Sequence, residues 1–142
     1  MEGRQFFYVF TAVQIVVVCI LLWFVFTMAG AWDWQRSIGS ILLLAGVCGI
    51  TVARWQLGRS FAIRAEAHQL VTHGIYSKIR NPIYVFGTAV VGGFVLVVHR
   101  PVLWLLVLAI VVMQTLRARR EARVLEAAFG EAYREYRRKT WF

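Results

Sequence analysis

The sequence predicts an all-α, multi-pass transmembrane helical bundle of four spans, the last two a tight helical hairpin, followed by a C-terminal amphipathic cytoplasmic helix. Three observations carry that reading. Of the 142 residues 60% are hydrophobic, the charged residues fall between long apolar runs, and 16 Lys and Arg stand against 7 Asp and Glu. Soluble globular chains hold roughly half apolar residues, so the membrane class is the first to test.

The first span covers about 6–29, because no charged residue occurs between Arg4 and Asp33 and such a run exceeds ~30 Å of hydrocarbon as a helix. It ends at Ala29-Gly30-Ala31, which resembles a signal-peptide cleavage site. The run is longer than the ~7–15 residues of a signal-peptide core, so it is expected to be retained. Trp32 and Trp34 follow where amphipathic rings prefer the headgroup layer. Gln14, alone in this apolar run, is expected to bond another helix.

The second span, about 37–54, lies between Arg36 and Arg54, with Ala45 and Gly49 in a small-xxx-small spacing that invites a close neighbour. The third and fourth, about 82–98 and 101–116, are parted only by His99 and Arg100. That break predicts an antiparallel hairpin, with Pro101 at a helix start where its missing N–H costs nothing. His99 reads as an interfacial residue. Cys19 and Cys48 have no metal-ligand spacing and read as packing residues. The whole chain, 1–142, is one domain, with a loop at 54–81 and a tail at 117–142.

With four spans, the Lys and Arg divide fourteen to two between alternate compartments. By the positive-inside rule both termini and the central loop are then cytoplasmic. A compact chain without added domains suggests a prokaryotic inner membrane. The tail from Arg117 to Lys139 reads as an amphipathic helix with Leu125, Phe129, Ala132, Tyr133 and Tyr136 on one side, weakened at Gly130. Membrane lipids are its expected partners. Nucleic acid is not, since these charges lie within a Debye length of a competing membrane.

The loop from His68 to Tyr84 is not a generic linker. It brings two His, two Tyr, an Arg and an Asn to the mouth of the bundle, with Gly74 free to adopt unusual backbone angles and Pro82 starting a helix. A site here competes with plain interfacial anchoring. The run from His73 through Gly74, Tyr76, Arg80, Asn81, Pro82 and Tyr84 to Gly87 resembles the signature of the isoprenylcysteine carboxyl methyltransferase and phospholipid methyltransferase superfamily. The tail is similar to that superfamily's ending, through Glu121, Leu125, Phe129, Gly130, Tyr133 and Tyr136. The two blocks and the hairpin between them cover the C-terminal half.

The resemblance implies a methyltransferase using S-adenosyl-L-methionine, its site built from loop, hairpin and tail rather than a Rossmann domain. The sequence agrees, since no G-x-G-x-x-G follows a candidate strand. It places cofactor contacts on His68, Gln69, Leu70, Val71, Tyr76, Asn81, Pro82, Ile83, Tyr84 and Glu121, and a substrate-contacting, catalytic role on Arg117. Two positions depart from the pattern. Asn81 stands where the family usually has a titratable His, and Ala122 replaces the second Glu of a pair. The expected acceptor is lipophilic and enters from the bilayer. A carboxylate, such as an isoprenylcysteine-type C-terminus, would suit Arg117, and a phospholipid amine or small amine is the alternative. A non-enzymatic membrane subunit is the reading from a different class.

Overall fold

A computed structural model describes the backbone over residues 2–28, 30–61 and 70–142, and side chains over 8–9, 12–28, 30–57 and 70–142. Five helices follow one another: α1 (Glu2–Thr27), α2 (Trp34–Phe61), α3 (Pro82–Val98), α4 (Trp104–Phe129) and α5 (Glu131–Lys139). A 3-10 turn at Gly74–Ser77 precedes α3, and another at Pro101–Leu103 precedes α4. Among the described residues there is no strand, only an isolated parallel bridge between Ile79 and Trp141.

Local chemistry sets the boundaries. Asp33 caps α2, its carboxylate accepting the Arg36 N–H at 2.8 Å, the usual device for an orphan N–H at a helix start. The α2 helix runs to Phe61, past the expected limit near Arg54, because a charge at the membrane edge ends an apolar run without ending a helix. Pro82 opens α3, which His99 closes in the left-handed region at φ 56°. The helix of the expected fourth span, 101–116, does not end at Leu116. It starts at Trp104 after the 3-10 turn and continues into the tail, since the Arg, Ala, Glu and Leu after Leu116 are all good helix formers. Gly130 stops it at φ 53°, and the tail bends there into α5. The expected single tail helix is therefore two.

Two segments, Trp34–Leu57 and Pro101–Phe129, are long and apolar enough to cross a membrane. Over the described residues the other expected spans are shorter apolar helices, Ala12–Thr27 and Pro82–Val98. The tightest packing joins α2 to α3. A Cβ on Gly39 would stand 2.7 Å from the Gly93 carbonyl oxygen, and one on Gly46 would stand 2.8 Å from that of Phe86. A Cβ on Gly49 would enter the Phe86 ring. Gly49 thus makes a close helix contact as expected, but its companions are Gly39 and Gly46, while Ala45 is exposed. Gln14 bonds α2 through Thr51 at 2.7 Å, as its isolation in an apolar run suggested.

At the tryptophan end, Arg36 is only 4% exposed and donates to the carbonyls of Val25, Met28 and Gly30. A cation at the C-terminal end of α1 complements that helix's dipole. The Arg36 guanidinium also lies 4.6 Å from the centre of the Trp32 ring. His99 Nε2 meets Asp33 Oδ2 at 2.8 Å, tying the α1–α2 loop to the α3–α4 hairpin.

This tie responds to pH. The Arg36 backbone N–H and then His99 hold the Asp33 carboxyl below its usual range. Asp33, and then the Val97 carbonyl, raise the His99 imidazole above its own. A raised histidine stabilises the fold fully below its ordinary value and loses that contribution as pH rises through the folded value. A lowered carboxylate contributes above its ordinary value and loses it as pH falls. The link is therefore strongest between about pH 4 and about pH 6.5. Thermal unfolding of the detergent-solubilised protein should show a midpoint that drops modestly from pH 6 to pH 8.5. The drop should be absent in His99→Gln, and an equal drop in both would assign it elsewhere.

Candidate active site

The motif end is built around the 3-10 turn. Gly74, at φ 61°, makes the bend, and a Cβ there would lie 2.3 Å from Gln56 Oε1. Gln56 reaches out of α2 to accept the Ile75 N–H at 2.8 Å. Tyr76 is then driven inward, packed with Ala53 and Leu57 of α2, Val71 of the loop and Ile83 of α3. The turn is therefore wedged between the end of α2 and the start of α3. Gln56 belongs to this support although nothing in the sequence separated it from other helix-surface residues.

The tail closes on the same turn. Tyr136 of α5 donates its hydroxyl to the Tyr76 carbonyl at 2.7 Å. Tyr133 is 1% exposed, and burial pushes its phenol up. Beyond α5 the chain lies beside the motif: Trp141 N–H bonds Lys78 O at 3.1 Å, and Arg80 N–H bonds Trp141 O at 3.1 Å. Asn81 N–H bonds Phe142 O at 2.8 Å. Loop and tail, distant in sequence, form one unit.

Asn81 precedes α3, but its side chain does not cap the helix and makes no hydrogen bond with the described residues. Pro82, the next residue, is buried, and Tyr84 stands on the first turn of α3. The Tyr84 hydroxyl donates to Glu121 Oε1 at 2.7 Å across 37 residues, joining the two sequence blocks. Arg117, one turn before Glu121 on α4, approaches the same oxygen at 4.0 Å and is itself 73% exposed. Thr88, one turn further along α3, meets Gln114 at 2.8 Å.

The structure thus brings together Tyr84, Glu121 and Arg117, with Asn81 and Pro82 at the α3 start just before Tyr84 in sequence. The Tyr76 ring and Val71 go to the packing beneath the turn, and Leu70 and Ile83 are half-buried. His68 and Gln69 lie outside the described residues. Chemically, the arrangement offers a carboxylate oriented by a phenol, an open carboxamide, a helix start with no side-chain cap and an exposed guanidinium. A ligand carrying separated positive and negative groups suits that set.

Among curated proteins and among solved structures, nothing matches the chain. A family model does: the one described as phospholipid methyltransferase matches residues 34–132, from the start of α2 into α5.

Proposed function

The chain belongs to the phospholipid methyltransferase family, part of the isoprenylcysteine and phospholipid methyltransferase superfamily, and from that premise we propose that it transfers a methyl group from S-adenosyl-L-methionine to a lipophilic acceptor. Both ends and the motif face the cytoplasm in this reading, on the fourteen-to-two division of basic residues. The observation that carries it is the Tyr84–Glu121 hydrogen bond, which makes one site of the two motif blocks.

The residues fit the cofactor. When bound, it supplies an electrophilic methyl group on a sulfonium cation. The Glu121 carboxylate, fixed by Tyr84, would balance the positive charge, and Asn81 with the start of α3 would receive the amino-acid end. Methyl displacement needs alignment and exclusion of water more than acid–base groups, and a site at the membrane boundary would supply both.

The acceptor in this reading is a carboxylate. Such a group is already nucleophilic at neutral pH, needs no base, and suits the exposed guanidinium of Arg117. The family description favours a second reading, a phospholipid amine, for which Glu121 would have to take a proton. One comparison separates them. Methyl transfer to a prenylated cysteine analogue and to phosphatidylethanolamine is measured with wild type and Arg117→Lys, alongside cofactor affinity. For a carboxylate acceptor, turnover falls about tenfold or more while cofactor affinity holds, because an ammonium cannot reproduce a bidentate fork. Transfer to the amine alone, unimpaired in Arg117→Lys, would reverse the preference. Cofactor binding without transfer to either would exclude both acceptors.

A further inference from the structure

We propose that Gln114 is a specificity-determining residue, its amide holding a carbonyl oxygen in the neck of the lipid-like acceptor. The inference rests on the methyltransferase reading of the adjoining site. Gln114 interrupts the apolar run of α4 and lies seven residues before Glu121, so the two side chains share one face of the helix about two turns apart. Arg117 lies between them. On α3 the matching positions are Thr88 and Tyr84, four apart. Two polar rungs therefore join α3 and α4: Tyr84 to Glu121 at 2.7 Å, and Thr88 to Gln114 at 2.8 Å, one turn further along α3 and two along α4.

The second rung is half satisfied. Thr88 donates to Gln114 Oε1 and also lies 3.0 Å from the Tyr84 carbonyl, so the carboxamide oxygen is occupied. The amide nitrogen has no hydrogen-bond partner among the described residues. It faces Gly87, where a Cβ would find Gln114 Nε2 at 3.6 Å and no other described atom within 4 Å outside its own helix backbone. An amide N–H₂ thus borders an open notch at Gly87, on a stretch of α3 and α4 whose surrounding residues are apolar. A donor in that place is costly unless something accepts from it, and polar groups at membrane depth mark ligand paths.

Depth identifies the partner. Arg117 lies about 4.5 Å nearer the helix's polar end than Gln114 by the rise of an α-helix. A lipid-like molecule whose anionic group meets Arg117 would bring an ester or amide carbonyl, a pure acceptor, to the level of Gln114. Glycerolipids carry such a group as an ester and an acylated cysteine carries it as an amide.

The test is binding and transfer in nanodiscs with matched probes that differ only in that carbonyl. These are diacyl and dialkyl phosphatidylethanolamine, and N-acyl S-prenylcysteine with its alkene isostere, in which a neutral C=C replaces the amide. Wild type should prefer the carbonyl member of the class it binds by about tenfold, and Gln114→Leu should erase the preference by weakening that member alone. Gly87→Ala, which narrows the notch without a clash, should reduce the same preference with the fold and cofactor affinity retained. The class in which the effect appears distinguishes ester from amide. A preference unchanged in Gln114→Leu, equal loss on both members of a pair, or no preference in wild type would each overturn the inference. Intact transfer without carbonyl dependence would sink this inference alone. Carbonyl-dependent binding without transfer would sink the enzymatic reading and leave the carbonyl site standing.

Discussion

Glu121→Gln should weaken binding of S-adenosylmethionine by about 10- to 100-fold, the range for a hydrogen bond or contact that involves a charged group. S-adenosylhomocysteine, which lacks the sulfonium charge, should lose much less. The substitution removes a charge but keeps a carbonyl oxygen to accept from the Tyr84 hydroxyl, now held at 2.7 Å, so the fold at the site is retained. Arg117 does little to offset the Glu121 charge, because it is 73% exposed and 4.0 Å away, a geometry in which ion pairs contribute little. The Glu121 carboxylate, oriented by Tyr84, is the acidic group the two motif blocks share. Calorimetry on the detergent-solubilised protein, with both ligands and both proteins, checks this. Equal affinities for wild type and variant would return Glu121 to the status of a surface ion-pair partner, and equal losses on both ligands would make it a structural residue.

How much of this was legible in the sequence depends on whether the signal was local. Charge-free runs announced the helices, and Pro82 and Pro101 announced starts, because each follows from a residue's own chemistry. Helix ends were harder. Arg54 and Arg117 mark where polarity changes, but Arg is a good helix former, so α2 and α4 run on past them. Close packing was half legible: small residues on α2 were visible, yet Gly39, Gly46 and Gly49 rather than Ala45 meet α3, which depends on how the partner is rotated. At the site, motif spacing brought Tyr84 and Glu121 to notice, but their contact is a property of the α3–α4 crossing. The pairing of Trp141 and Phe142 with the motif had no local signal at all, since an isolated bridge follows from where α5 leaves the chain. Gln56 was equally silent, one polar residue on a helix whose expected end preceded it.

Gly74→Ala should detach the motif turn from α2 and lower cofactor affinity by about 30-fold or more, from two costs that can be measured apart. At φ 61° an L side chain meets left-handed strain of roughly 1–2 kcal/mol. The new Cβ would also lie 2.3 Å from Gln56 Oε1, a contact no pair of real atoms sustains. Gln56 can swing away, but it then releases the Ile75 N–H it holds at 2.8 Å, at a further cost of about 1 kcal/mol. Tyr76, whose carbonyl receives the Tyr136 hydroxyl, follows the turn, so the tail loosens with it. Gln56→Ala removes the hydrogen bond and clears the space in one step. In the double variant only the backbone strain is new, and the combined loss must be smaller than the sum of the single losses, as expected for residues in contact. A double-mutant cycle on cofactor affinity, with hydrogen exchange at Ile75 and Tyr76 as a second readout, resolves the terms. Strict additivity would mean that Gly74 and Gln56 act independently, and full affinity in Gly74→Ala would mean that the cofactor does not depend on the turn at all.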